Sequence, residues 1–345
     1  ILVAVLLDRR AITVRNVAIA ALVIMAIAPE SILTASFQMS FAATIALVAG
    51  YEALARRAAR SERLPGAGTG GALDRTRRAA TGLVLTSVIA GLATTPFAVY
   101  HFQRAAPLSL LANLAAMPVV GLAVLLMPFG LEALALVPMG WGIDWMVLVG
   151  ETTARWSEGW GGVPAPPPAA LLLVVAGFLW LCLWGERWRI AGLVPIVLAA
   201  PLAFSAARPD ILVEPGGETA AIRAADGRYR ILNLKPNRFA AEYWLRADAD
   251  PRLIDDASLT VGVACDPAGC VAGLAEGGIA AVGLSAEALG DDCRRAAVVV
   301  TRFAAPVWCR GPLAVIDRRA LARGGAHALD RLPEAAGDGA PAYRI

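Results

Sequence analysis

Residues 29–52 read PESILTASFQMSFAATIALVAGYE, a polar cluster followed by a long apolar run. Ser36, Gln38 and Ser40 lie at the beginning of a segment that is otherwise apolar enough to cross a bilayer. Lipid penalises polar groups that lack hydrogen-bond partners, so such side chains usually face another helix or a water-filled path. The stretch therefore predicts a membrane-spanning helix with a polar cluster at its beginning.

The composition divides the chain into two parts. Of its 345 residues 58% are hydrophobic and only 17% are charged, whereas a soluble domain has about 25% charged residues. Residues 1–207 carry 14 Arg or Lys and 10 Asp or Glu, but residues 208–345 carry 17 and 18. We therefore expect a bilayer-embedded helical bundle over 1–207 and a soluble domain over 208–345. The chain begins with Ile1 in an apolar run, so we expect a fragment or a start site assigned too late.

The first part contains six apolar runs that approach the roughly 20 residues needed to cross the hydrocarbon core. They are 11–28, 36–54, 79–99, 108–128, 169–185 and 190–206. A seventh span within 129–150 stays open. Residues 141–158 instead predict an interfacial helix, because tryptophans share one face and charged residues the other.

Arginines set the expected orientation of the spans. The loop after the second run carries seven of them, and each would cost about 2.5–3.5 kcal/mol at the bilayer centre. The loop therefore lies in water, and the positive-inside rule places it in the cytoplasm. Six spans would leave the soluble domain in the cytoplasm too. Arg187 and Arg189, with the cysteines of the soluble domain, favour the extracytoplasmic side, which we expect.

The soluble part alternates strand and helix patterns, which predicts an α/β domain. Short strands are expected at 210–214, 219–223 and 228–232, and the Asp226-Gly227 dipeptide is a strong hairpin signal. A helix is expected at 238–246, with Phe239 and Tyr243 on one side, and another around 285–295. Later strands are expected at 278–284, 296–301 and 313–317.

Four cysteines lie in this domain: Cys265, Cys270, Cys293 and Cys309. An even number in a small extracytoplasmic domain suggests two disulfides. Cys265 with Cys270 would close a tight turn and leave Cys293 for Cys309, although four cysteines allow three pairings. A Cys₄ zinc site and free buried thiols stay as alternatives.

The pattern Ser36-Phe37-Gln38-x-Ser40-Phe41, running into a small apolar helix, resembles the membrane core of the ComEC competence family. Asn113, followed by the helix-breaking Pro118, resembles a second motif of that family. The resemblance implies an inner-membrane channel component that takes up single-stranded DNA during natural transformation. Ser36, Gln38, Ser40 and Asn113 are then candidate conduit-lining residues, Phe37 and Phe41 the motif aromatics, and Pro118 the helix break.

The implied partners are transported single-stranded DNA, the lipid bilayer of the bacterial inner membrane and other DNA-uptake components, with homo-oligomerisation left open. The family often carries a metallo-β-lactamase-like domain in the position of 208–345. Such a hydrolase needs a His-x-His-x-Asp-His cluster, but the chain has only His101, expected in a loop between spans, and His327. We therefore expect a degenerate domain with no catalysis, no metal site and no cofactor. The alternatives are a membrane-anchored hydrolase or nuclease-like protein and an unrelated polytopic transporter.

Overall fold

A computed structural model describes residues 13–61, 72–105, 108, 111–113, 115, 132–157, 161–205, 208–275, 277–332 and 342–344. The chain divides into two compact units, Ile1–Phe204 and Ser205–Ile345. The sequence placed the corresponding boundary after Ala207. The described part of the first unit is helical, and that of the second combines helices with two β-sheets. The coarse fold class expected from the sequence is therefore confirmed.

In its described part the helical unit contains six α-helices with defined bounds, besides the helical residues 111–113 and 115. They are α1 (Val14–Ile27), α2 (Ala35–Ser61), α3 (Ala72–Phe102), α4 (Glu132–Trp156), α5 (Pro168–Leu183) and α6 (Leu193–Phe204). Short 3₁₀ helices at Pro29–Leu33 and Arg187–Gly192 join α1 to α2 and α5 to α6. A single helix thus covers residues 141–156 of the segment expected to be interfacial, and it begins well before Trp141.

Three segments in the described residues are long and apolar enough to cross a membrane: Ala35–Arg56, Ala80–Phe102 and Arg187–Phe204. Helices α1 and α5 are apolar but shorter. These five segments correspond to five of the six expected runs. Most of the run expected at 108–128 lies outside the described residues.

Small residues allow the helices to approach closely. A Cβ on Gly177 of α5 would lie 2.3 Å from the carbonyl oxygen of Gly192, and one on Gly192 would lie 2.6 Å from that of Gly177. A Cβ on Gly50 of α2 would similarly lie 2.9 Å from Ile89 of α3. Close approach through small residues is typical of helix contacts in membranes, where burial of apolar surface contributes little between helices.

The segments after α3 and before α5 pair with each other. Arg104 and Gly162 form an isolated antiparallel bridge, the amide of Ala105 donates to Gly161 (2.8 Å), and that of Val163 donates to Gln103 (3.1 Å). The end of α3 and the approach to α5 therefore lie at the same end of the helical unit.

The described residues of the second unit form two five-stranded sheets. Its strands are β1 (Ile211–Val213), β2 (Ala220–Arg223), β3 (Tyr229–Leu232), β4 (Val263–Cys265), β5 (Gly269–Gly273), β6 (Ile279–Gly283), β7 (Val298–Thr301), β8 (Ala314–Ile316), β9 (His327–Leu332) and β10 (Ala342–Arg344). Sheet I has the order β10-β9-β1-β2-β3 and is antiparallel. Sheet II has the order β4-β5-β6-β7-β8, with β6, β7 and β8 parallel.

The two sheets pack face to face, and helices cover their outer faces. Ile211 and Ile222 of sheet I share one buried cluster with Val282 and Val300 of sheet II. Helix α7 (Arg238–Ala247) packs Trp244 and its neighbours on the outer face of sheet I. Helix α8 (Leu289–Arg295) covers the outer face of sheet II. The order is therefore helix, sheet, sheet, helix.

Several expectations for this unit need correction. Strands β4, β5, β9 and β10 and helix α9 (Arg318–Gly324) were not predicted. Phe239 and Tyr243, which were expected on one side of α7, are 75% and 47% exposed, so that side is not the packed one. The buried side chains of that helix are those of Ala241, Trp244 and Leu245. Regular backbone hydrogen bonding creates strands that the side-chain pattern does not show.

Candidate functional site

The predicted polar cluster follows a capped N-terminus of α2. The Thr34 hydroxyl donates to the carbonyl of Ser31 (2.7 Å) and accepts from the amide of Phe37 (3.3 Å), which fixes how the 3₁₀ turn enters α2. The rings of Phe37 and Phe41 lie on adjacent turns with centroids 4.3 Å apart. The two motif aromatics are therefore in contact.

Gln38 links α2 to α3. Its Nε2 donates to the carbonyl of Ile32 (2.8 Å), and its Oε1 lies 2.8 Å from Nε2 of His101. An amide oxygen can only accept, so His101 donates in this arrangement. The sequence placed His101 in a loop, which is wrong: it lies in the last turn of α3. A partner 63 residues away leaves no local pattern, so the pair could not be found from spacing.

The two serines of the motif are not part of this contact. Ser36 and Ser40 are exposed, whereas Gln38 is half-buried. Residues four apart share a helix face, and a residue two positions away points to the other side. The motif therefore has two faces, one with exposed hydroxyl groups and one with an amide bonded to α3.

The second motif lies in a segment that the structure describes only partly. Asn113 is helical and exposed, and nearby Trp145 of α4 donates its indole N–H to the carbonyl of Ala115 (2.9 Å). Pro118 lies outside the described residues. Among the described contacts, none joins Asn113 to Gln38.

Other polar groups of α3, those of Thr86, Thr94 and Thr95, hydrogen bond within the helix itself. Thr86 donates to the carbonyl of Gly82 (2.8 Å), Thr94 to Ala90 (2.9 Å) and Thr95 to Gly91 (2.7 Å). Thr86 also hydrogen bonds the hydroxyl of Tyr51 on α2. This contact, which sequence reasoning missed, is a second polar link between the two helices.

The cysteines of the second unit form two disulfides, Cys265–Cys270 and Cys293–Cys309. The first joins β4 to β5, and the second fastens α8 to the loop between β7 and β8. Both therefore lie in sheet II and the elements around it. Cys182, in α5, is free.

Buried ion pairs organise the other half of the unit. Arg223 of β2 donates two hydrogen bonds to Asp248 at 2.9 and 3.2 Å. Arg252 contacts Asp250 at 2.6 Å, and both side chains are less than a tenth exposed. Burial opposes ionisation of Asp250, but hydrogen bonds from Arg252 outweigh it, so the pKa of Asp250 lies below its ordinary value. These groups hold the loops beside β3 in place.

Burial raises the pKa of Tyr229 to about 12, against the opposing charge of Arg223. Its hydroxyl donates to the carbonyl of Pro209 (2.7 Å), and the Arg223 guanidinium lies 4.3 Å from its ring centroid. A tyrosine in this setting stays protonated and acts as an anchor.

The second unit offers little for metal chemistry in its described part. No group of three or more His, Cys, Asp or Glu side chains there is arranged to hold an ion. His327 stands on β9 opposite Val213, and its Nδ1 lies 2.9 Å from the carbonyl of Gly325. The ring is therefore engaged with the turn at the end of α9.

Comparison with known proteins identifies the helical unit. The family described as competence protein matches residues 1–188, more than half of the chain. The chain therefore belongs to the competence protein family, as the residues around Gln38 suggested. No curated protein and no solved structure matches it.

Proposed function

We propose that the chain is an inner-membrane channel component for the uptake of single-stranded DNA during natural transformation. The observation that carries this proposal is the family match over 1–188, which includes two of the three segments that are apolar enough to span a bilayer, 35–56 and 80–102. Membership of the family also disfavours an unrelated transporter. Passage of the strand requires energy from other components.

The contacts around the motif suggest separate roles for its residues. Gln38 acts as a positioning residue, because its amide bonds both the turn before α2 and His101 at the end of α3. Ser36 and Ser40 carry the exposed hydroxyl groups and are the lining candidates on this helix. Asn113, which is also exposed, is the candidate from the second motif.

The backbone supports an extracytoplasmic second unit. If the arginine-rich loop after α2 is cytoplasmic, α3 ends on the opposite side of the membrane. The bridge between Arg104 and Gly162 then puts the approach to α5 on that opposite side as well. Helix α5 returns to the cytoplasm at Arg187 and Arg189, and α6 crosses back before Ser205. Two disulfides in the second unit fit an oxidising compartment.

The second unit acts without catalysis in this proposal. The chain contains two histidines, too few for the cluster that a two-metal hydrolase needs. The helix-sheet-sheet-helix order is compatible with a degenerate metallo-β-lactamase-like scaffold. Its role would be structural, on the extracytoplasmic side of the membrane.

Genetic deletion tests the transport role. Loss of the gene should abolish transformation and leave DNA binding at the cell surface intact. A double substitution of Ser36→Leu and Ser40→Leu should reduce transformation at normal protein level, whereas Thr95→Val, which removes only a bond within α3, should not. Normal transformation in the deletion strain would reject the proposal.

Thiol labelling tests the side of the second unit. In intact cells treated with reductant, a membrane-impermeant maleimide should label cysteines of the second unit, and without reductant it should not. A Cys182→Ser background removes the free thiol of α5. Labelling only after cell lysis would place the unit in the cytoplasm.

A further inference from the structure

One end of the helical unit contains a crevice of about 510 Å³. Its wall is aliphatic and comes from two helices, with Leu54 of α2 and Leu85 and Ile89 of α3. Its rim is the turn between α5 and α6, from Gly185 to Ile190. The crevice therefore lies where the α2–α3 pair meets the α5–α6 hairpin, away from the Gln38 motif.

The rim carries more positive than negative charge. Arg187 and Arg189 line the crevice together with one carboxylate, that of Glu186. Arg56 is close by, since its Nη1 lies 3.7 Å from the position that a Cβ on Gly185 would take. Its own acidic neighbour, Glu52, is 4.0 Å away with both side chains about half exposed, and such a pair is weak. The rim thus suits one anionic group.

Three tryptophans indicate the level in the bilayer at which this rim lies. The rings of Trp180, Trp184 and Trp188 contact one another with centroids 4.6–5.4 Å apart, and Trp184 and Trp188 are 45% and 53% exposed. Exposed tryptophan is enriched at the level of lipid headgroups. Arginines at that level match the anionic headgroup of a phospholipid, and the aliphatic wall matches its acyl chains. Basic pockets between spanning helices bind anionic headgroups.

We propose that this crevice binds one anionic phospholipid. Arg187 and Arg189 hold the headgroup phosphate, and Leu54, Leu85 and Ile89 contact an acyl chain. A strand of DNA would use the same positive charge but would gain nothing from the aliphatic wall. The bound lipid contacts both the α2–α3 pair and the α5–α6 hairpin, and it therefore stabilises their association.

The test uses the full chain in nanodiscs that contain phosphatidylglycerol and phosphatidylcholine in equal amounts. Native mass spectrometry after release from the disc then measures which lipid stays bound. We expect about tenfold preferential retention of phosphatidylglycerol, because basic residues near the membrane surface attract anionic headgroups. The R187Q/R189Q double variant should lose this preference, whereas R155Q, at an exposed arginine of α4, should keep it.

A second variant keeps the proposal testable if the double variant does not fold. Ala53→Phe adds bulk to the crevice without changing its charge, and it should also reduce the retained phosphatidylglycerol. Equal retention of both lipids by the unmodified chain overturns the proposal, as does an equal loss in R155Q. Displacement of phosphatidylglycerol by a short single-stranded oligonucleotide would assign the crevice to DNA instead. Because the readout is lipid retention, it is independent of whether the protein transports DNA.

Discussion

Many large hydrophobic side chains are exposed in the helical unit, whereas many are buried in the α/β unit. In the helical unit Leu92 and Val197 are 72% and 66% exposed, whereas in the α/β unit Ile222 and Ile231 are completely buried. Lipid solvates the first set, so helix association depends on close contact between small residues and on a few polar links. Water drives burial of the second set, which forms a core between sheets. The same types of apolar side chain therefore serve two different kinds of packing.

The largest expected effect concerns charge burial in the α/β unit. Asp250→Ala leaves the buried guanidinium of Arg252 without its counter-charge, which should cost about 3–5 kcal/mol. Asp291→Ala, at a pair whose side chains are both 73% exposed, is the matched control and should change little. Urea unfolding of the full chain in nanodiscs, monitored by hydrogen exchange of β3, measures the unfolding midpoint of both variants. Similar midpoints for the two variants would contradict this assignment.

The next effect concerns the disulfides, which only the α/β unit has. Cys309→Ser opens the bridge to Cys293, 16 positions away, and should cost about 3 kcal/mol if chain entropy dominates. Cys265→Ser opens a bridge spanning 5 positions and should cost less. Cys182→Ser in the helical unit is the control. The differences should vanish in reductant, and their persistence would point to packing rather than to the cross-link.

A smaller effect tests close helix contact in the other unit. Gly177→Leu would place side-chain atoms where the Gly192 carbonyl lies, and such overpacking should cost about 1–3 kcal/mol. Gly91→Leu is the control, since a Cβ there meets no heavy atom within 4 Å. Protease resistance of the α5–α6 hairpin in nanodiscs reports the change. Equal resistance of both variants would show that the hairpin adapts without loss.

The smallest effect depends on pH. Burial, together with the charges of Asp291 and Asp266, raises the pKa of Asp292. A carboxyl with a raised folded-state pKa stabilises the fold at low pH and loses this contribution as the pH rises through that pKa. Asp292→Asn should therefore raise the urea midpoint of sheet II slightly at neutral pH and lose that advantage below about pH 4. A difference that does not vary with pH would exclude this cause.

The sequence predicted features that depend on local chemistry. The β2–β3 hairpin was found because Asp226-Gly227 supplies a turn with Gly227 at a φ of +75°. Five helices coincide with apolar runs because a bilayer demands length and hydrophobicity. By contrast, Gly269–Gly273 is a strand through its pairing with β6, and its glycines and alanine carry no strand signal.

The candidate site, too, could be predicted only where its signal is local in the sequence. The motif at the start of α2 was visible because its polar residues interrupt an apolar run. The contact between Gln38 and His101 was not, since it depends on how α2 and α3 align over a separation of 63 residues. Helix α9 was missed because Asp317, expected to end a strand, instead caps the helix by accepting from the amides of Arg319 and Ala320.

The confinement of both disulfides to sheet II and its surroundings affects how the protein matures. Sheet I can complete its hydrogen bonding without oxidation, but the second sheet acquires its cross-links only after its cysteines meet an oxidant. If the second unit lies outside the cytoplasm, as proposed above, its cysteines are oxidised only after translocation, and covalent closure of sheet II follows the folding of sheet I.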